Sequence, residues 1–101
     1  MINYLTNDKL FEDTIKETGI CVVDFFATWC GPCRMLSPVL EEIAKENIDV
    51  IKVDIDKFED LTRKFGIMSV PTIQIYKDKK LEKQITGYLN KEELMKIINE
   101  I

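Results

Sequence analysis

Histidine is missing from this 101-residue chain, and cysteine occurs only three times. A closed structural zinc site takes four nitrogen or sulfur ligands, so three cysteines without a histidine fall short of a set. Basic residues are not in excess: 14 Lys and Arg against 18 Asp and Glu give a net charge of −4. General nucleic-acid binding, which wants a basic face, is therefore not expected. The longest apolar run is interrupted by Asp24 and is too short to cross a bilayer. Met1 to Phe11 carries Asp8 and Lys9 and lacks the basic-then-apolar order of a secretion signal. The expected address is the cytoplasm, where thiols are kept reduced, and an odd cysteine count fits that compartment better than a secreted disulfide framework. Repeats, low-complexity tracts and Pro/Gly-rich linkers are lacking as well, so residues 1–101 read as one domain with one core.

What remains is an ordinary globular composition, 46% hydrophobic and 32% charged, arranged as alternating strand and helix patterns. Ile2 to Leu5 reads as a short strand, after which Thr6 or Asn7 can cap a helix with Leu10, Phe11 and Ile15 on one face and Gly19 as its stop. Ile20 to Ala27 is apolar on both alternating faces apart from Asp24, the pattern of a central strand covered on both sides. The next helix runs to about Glu46, with Leu36, Val39, Leu40 and Ile43 inward, and Pro38 should kink it. Asp49 to Asp54 is a strand, and Asp56 is placed to cap a short helix with Phe58, Leu61 and Phe65 inward. Thr72 to Tyr76 and Leu81 to Thr86 form a hairpin pattern, and Asn90 with Glu93 opens a last helix carrying Leu94, Ile97, Ile98 and Ile101. The order βαβαβαββα implies an α/β fold with the sheet between helices.

The chemistry sits in Trp29-Cys30-Gly31-Pro32-Cys33, where the apolar strand gives way to a helical pattern. Positions three apart on a helix are neighbours, at about 5 to 6 Å between Cβ atoms, and a disulfide tolerates Cα separations of about 4.4 to 6.8 Å. The pair can thus open and close with little backbone movement. Cys30 falls at the helix N-terminus, where free N–H groups and the dipole favour an anion, and thiolate is the reactive form. Pro32 suits the first turn, because its missing N–H would have had no partner there. Cys33, one turn in, is expected to be the more shielded sulfur. Redox chemistry is the reading that ligand count and placement favour, with zinc as its weaker rival.

Three further residues stand out. Cys21 lies inside the strand, where a free cysteine serves as a small hydrophobe. Asp24, six residues before Cys30 in an apolar strand, is expensive to bury ionised, so its pKa should rise toward neutrality. Pro71 opens a strand, where it removes no needed ladder donor.

These residues match a family. Over its whole length the chain resembles thioredoxins through Val22-Val23-Asp24-Phe25, Ala27-x-Trp29-Cys30-Gly31-Pro32-Cys33, Pro38, Lys52, Val70-Pro71-Thr72 and Gly87. The resemblance implies a general protein-disulfide reductase with a mixed five-stranded sheet and four helices, needing no bound cofactor or metal and acting as a monomer. Cys30 would be the nucleophile and Cys33 the resolving thiol of a redox-active disulfide. Asp24 would transfer the proton, modulated by Lys52. Trp29, Gly31, Pro32, Val70, Pro71 and Gly87 would form the substrate rim, with Val70-Pro71 cis and the Val70 backbone open to an extended substrate. The implied partners are disulfide-containing proteins and a thioredoxin reductase, usually a flavoenzyme drawing on NADPH.

The chain departs from the family pattern at Phe26, where many relatives carry tryptophan, at Ser69, where some have glycine, and in Lys77-Asp78-Lys79-Lys80, whose missing glycine leaves the turn type open. Lys57, Glu59 and Asp60 near the rim read as solvated surface that can tune partner choice. Two alternatives share the fold. One is a disulfide oxidase or isomerase, whose relatives usually have a linker histidine and a secretion signal; the other is an interaction module with incidental redox activity.

Overall fold

β2 (Ile20–Phe26) is the spine of the structure, and its side chains are buried on both faces. Its β-branched and aromatic residues suit a pleated, covered surface. The computed structural model describes residues 1–101, in which β2 lies at the centre of a five-stranded sheet. β3 (Asp49–Asp54) pairs parallel to β2, and β1 (Ile2–Tyr4) pairs parallel to β3. On the other side of β2, β4 (Thr72–Lys77) runs antiparallel and β5 (Lys80–Thr86) closes a hairpin against it. The sheet order is β1-β3-β2-β4-β5, so the expected mixed sheet and element order are both observed.

Period-two alternation along the strands divides the core in two. Cys21, Val23 and Phe25 of β2 pack with Phe11 of α1 (Phe11–Thr14) and Leu61 of α3 (Glu59–Lys64). Val22 points the other way, to Leu36, Leu40 and Ile43 of α2 (Gly31–Ala44) and to Leu94 and Ile98 of α4 (Lys91–Asn99). Burial of each such aliphatic side chain contributes about 1.5 to 3 kcal/mol. Asp24 follows Val22 by two residues and therefore faces the α2 side. The same count puts Lys52, two after Val50, and Tyr4, two after Ile2, on that face.

Several local expectations hold. Asn90 and Glu93 form a reciprocal capping box at the start of α4, and α2 carries its apolar stripe and continues through Pro38. The hairpin turn is resolved as well: Lys77 pairs with Lys80, leaving Asp78 and Lys79 as the two central residues, at φ of 51° and 69°. Two positive φ values mark a type I′ turn, made here without glycine. Asp78 helps to hold it, since its Oδ1 accepts from the Gly19 N–H at 2.8 Å.

Two helix boundaries differ from expectation. The first helix stops at Thr14 rather than at Gly19, because Ile15 turns extended (φ −83°, ψ 122°) and buries its side chain. Gly19, at φ +85°, instead makes the turn into β2. Asp56 does not cap α3, whose N-cap is Phe58 with no side-chain bond. The turn before α3 is closed by Asp54, whose Oδ1 accepts from the Asp56 N–H at 2.9 Å.

Candidate active site

The sulfur pair sits where β2 hands over to α2. Cys30 is the N-cap of α2, extended at φ −93° and ψ 115°, and its Sγ accepts from the Cys33 N–H at 3.1 Å. That bond occupies one of the donors that a helix start leaves free. Gly31 and Pro32 form the first turn, and the Cα atoms of Cys30 and Cys33 lie 5.3 Å apart, joined by a disulfide. Cys30 is 5% exposed and Cys33 3%, so accessibility alone barely separates them. Their surroundings separate them clearly.

Cys30 opens onto a groove of about 460 Å³ whose walls include Trp29, Gly31, Pro32 and Val70. The Val70 carbonyl oxygen is 3.7 Å from the Cys30 sulfur. No backbone hydrogen bond of the chain uses the Val70 N–H, and the Val70-Pro71 bond is cis. Pro71 is buried behind the groove, and its carbonyl accepts from the Gly87 N–H at 2.8 Å. Gly87, at φ +103°, thus braces the groove rather than lining it. Sequence reasoning missed Ile55, Ile67 and Met68 in the wall, with Met68 97% exposed. It also missed the role of Asp56, whose Oδ2 accepts from Trp29 Nε1 at 2.9 Å and fixes the largest exposed ring of the rim.

Cys33 faces the opposite way, into a separate cavity of about 230 Å³ shared with Tyr4, Phe26, Ser37 and Lys52. Asp24, paired in register with Lys52, is fully buried, and neither of its carboxyl oxygens has a hydrogen-bond partner. Burial pushes its pKa up to about 7, against a smaller downward pull from Lys52. The Lys52 ammonium is 3.9 Å from Asp24 Oδ2 but donates its hydrogen bond to Ser37 Oγ at 3.1 Å. It also lies 5.0 Å from the Phe26 ring centre and 5.5 Å from that of Tyr4. Cys21, by contrast, is a free thiol on the far face of the sheet. Burial, followed by the Asp49 charge, raises its pKa to about 12.

A helix-capping sulfur in a groove, bonded to a second sulfur one turn on, defines a thiol–disulfide oxidoreductase. The thioredoxin family model matches residues 2–100. The chain is 45% identical over 102 residues to a thioredoxin of Listeria monocytogenes, covering 98% of this chain and 97% of that one. It is 40% identical over 94 residues to a thioredoxin of Staphylococcus saprophyticus, covering 90% and 89%. Among solved structures, a mutant thioredoxin from Halobacterium salinarum superposes with a TM-score of 0.90 at 29% identity, covering 98% of this chain and 88% of that one. Oxidised thioredoxin from Plasmodium falciparum gives 0.83 at 33% identity, covering 99% and 97%. The chain belongs to the thioredoxin family, and with this sulfur pair it is a dithiol–disulfide reductase. Family membership implies disulfide-bearing substrates and a thioredoxin reductase as its partners.

Proposed function

We propose that Cys30 is the attacking thiolate, Cys33 the resolving thiol and Asp24 the group that exchanges the Cys33 proton, with Lys52 modulating that acid. The observation that carries this reading is the opposite outlook of the two sulfurs: Cys30 meets the groove, and Cys33 meets the cavity with Lys52. A substrate laid along Trp29, Gly31, Pro32 and Val70 reaches the Cys30 sulfur first, and the free Val70 N–H can pair with its backbone. Pro71 and Gly87 hold that strand end in place.

In the reaction, the Cys30 thiolate attacks one sulfur of the substrate disulfide. A mixed disulfide forms and the other substrate sulfur leaves as thiolate, to be protonated. Cys33 then gives its proton to ionised Asp24 and attacks the Cys30 sulfur. The substrate departs with both sulfurs reduced, and the two electrons it gained leave Cys30 and Cys33 as a disulfide. A thioredoxin reductase returns the pair to dithiol. An acid titrating near 7 can accept and return a proton under neutral conditions. Residues 1–101 would work as one thioredoxin domain, monomeric and in the cytoplasm; no helix is long and apolar enough to cross a membrane.

The test is a pair of serine variants incubated with a disulfide-bonded protein and analysed by mass spectrometry. Cys33→Ser should accumulate a mixed disulfide through Cys30, whereas Cys30→Ser should be inactive and trap nothing. Trapping by the Cys30 variant alone would reverse the assignment.

A further inference from the structure

Three strands carry one row of polar side chains beneath α2. Register places Tyr4 of β1 beside Lys52 of β3, and Lys52 beside Asp24 of β2. Phe26, two residues beyond Asp24, lies on the same face. Above this row, Ser37 follows Cys33 by four residues, one helical turn along α2. Its hydroxyl accepts from Lys52 Nζ at 3.1 Å and lies 3.5 Å from the Cys33 carbonyl oxygen, toward which it donates.

A buried carboxylate beside a buried ammonium would ordinarily form a hydrogen-bonded pair. Here the ammonium stands 3.9 Å away, and both oxygens of Asp24 are left without a donor. The hydrogen bond that could have satisfied Asp24 goes to Ser37, and two aromatic faces stabilise the cation away from the acid. The cavity reaches Cys33, Ser37 and Lys52 but is not lined by Asp24.

We propose that Ser37, with the rings of Tyr4 and Phe26, is a positioning residue that holds the Lys52 ammonium off the Asp24 carboxyl and so keeps that acid able to take up and release a proton. The proposal rests on the reading of Asp24 as the proton exchanger of Cys33. The other groups facing Asp24 do not compete for it. From β4 the register partner is Ile73, which is apolar. From α2, the Ser37 hydroxyl engages Lys52 and the Cys33 carbonyl and not the carboxyl, while Arg34 turns its guanidinium to the Thr28 carbonyl at 3.1 Å. From β1 only the Tyr4 ring reaches the cation.

The experiment is carbon NMR titration of the Asp24 carboxyl in wild type, Ser37→Ala, Ser37→Thr and Tyr4→Leu, together with the pH profile of disulfide reduction. In Ser37→Ala the ammonium loses its acceptor and closes on the carboxylate, as an opposite charge at contact lowers a carboxyl pKa by about one unit or more. The Asp24 midpoint should fall by about that much, Ser37→Thr should restore it, and Tyr4→Leu should shift it in the same direction by less. The acid limb of the rate profile should move with it. A midpoint unchanged or raised in Ser37→Ala overturns the proposal. A lowered midpoint with an unmoved rate profile upholds the placement of Lys52 and overturns Asp24 as the proton exchanger. Alanine is a strong helix former, and Tyr4→Leu tests the same cation from another element.

Discussion

Replacing Asp24 with asparagine should make the fold's stability less dependent on pH and raise it at neutral pH and above. In the unfolded chain the carboxyl titrates near about 3.9; in the fold, burial has raised it to about 7. Below about pH 3 the group is protonated in both states and contributes no difference. Between the two values the folded state binds more protons, so stability falls as pH rises through that window and levels off above 7. Three units at 1.36 kcal/mol each give a loss of about 4 kcal/mol, of which about half has accrued by pH 5.5. Asparagine keeps the shape of the neutral acid and cannot ionise. Urea unfolding of the oxidised proteins from pH 4 to pH 9 would report the gap between them, with other titrations shared by both and cancelling. The gap should open by about 4 kcal/mol in favour of the variant between pH 4 and pH 8.5. Two curves that run parallel across that range would refute the reasoning, because they would mean that Asp24 titrates alike in the folded and unfolded chain.

Asp56→Ala frees the Trp29 ring by deleting its hydrogen bond, and about 0.5 to 1.5 kcal/mol of ordering should be lost. Steady-state kinetics should show KM for a protein disulfide rising by about two- to tenfold with kcat little changed. Asn90→Ala removes the capping box of α4 and should cost about 1 kcal/mol in thermal or urea unfolding, with reductase activity retained at temperatures where both proteins are folded.

The parts of this molecule that could be read from its sequence are those set by neighbours along the chain. The two faces of β2, the α2 stripe, the Asn90-Glu93 cap and the placing of Cys30 at a helix start all depend on spacings of a few residues. What was hidden depends on register. Tyr4 meets Lys52 only because β1 pairs with β3, and Asp56 turned to Trp29, 27 residues away, instead of capping the helix beside it. Gly19 resembled a helix stop, yet the chain spent its positive φ on entering β2, since Ile15 had already left the helix to reach the core. Ser37 could have been found: four residues after Cys33 on a helix, it had to share that face.

Cys21 gives the chain a third thiol that takes no part in the redox pair. With its thiol pushed up to about 12 by burial, it stays protonated at pH 7, and thiolate is the attacking species. It is also walled off on the face opposite the cavity of Cys33. In the proposed mixed-disulfide stage, with the Cys30 sulfur open to attack, the one internal thiol that could compete with Cys33 is therefore held silent. On the proposed roles, each turnover would close through Cys33 or reverse onto the substrate, and the chain would carry electrons two at a time despite its odd number of thiols.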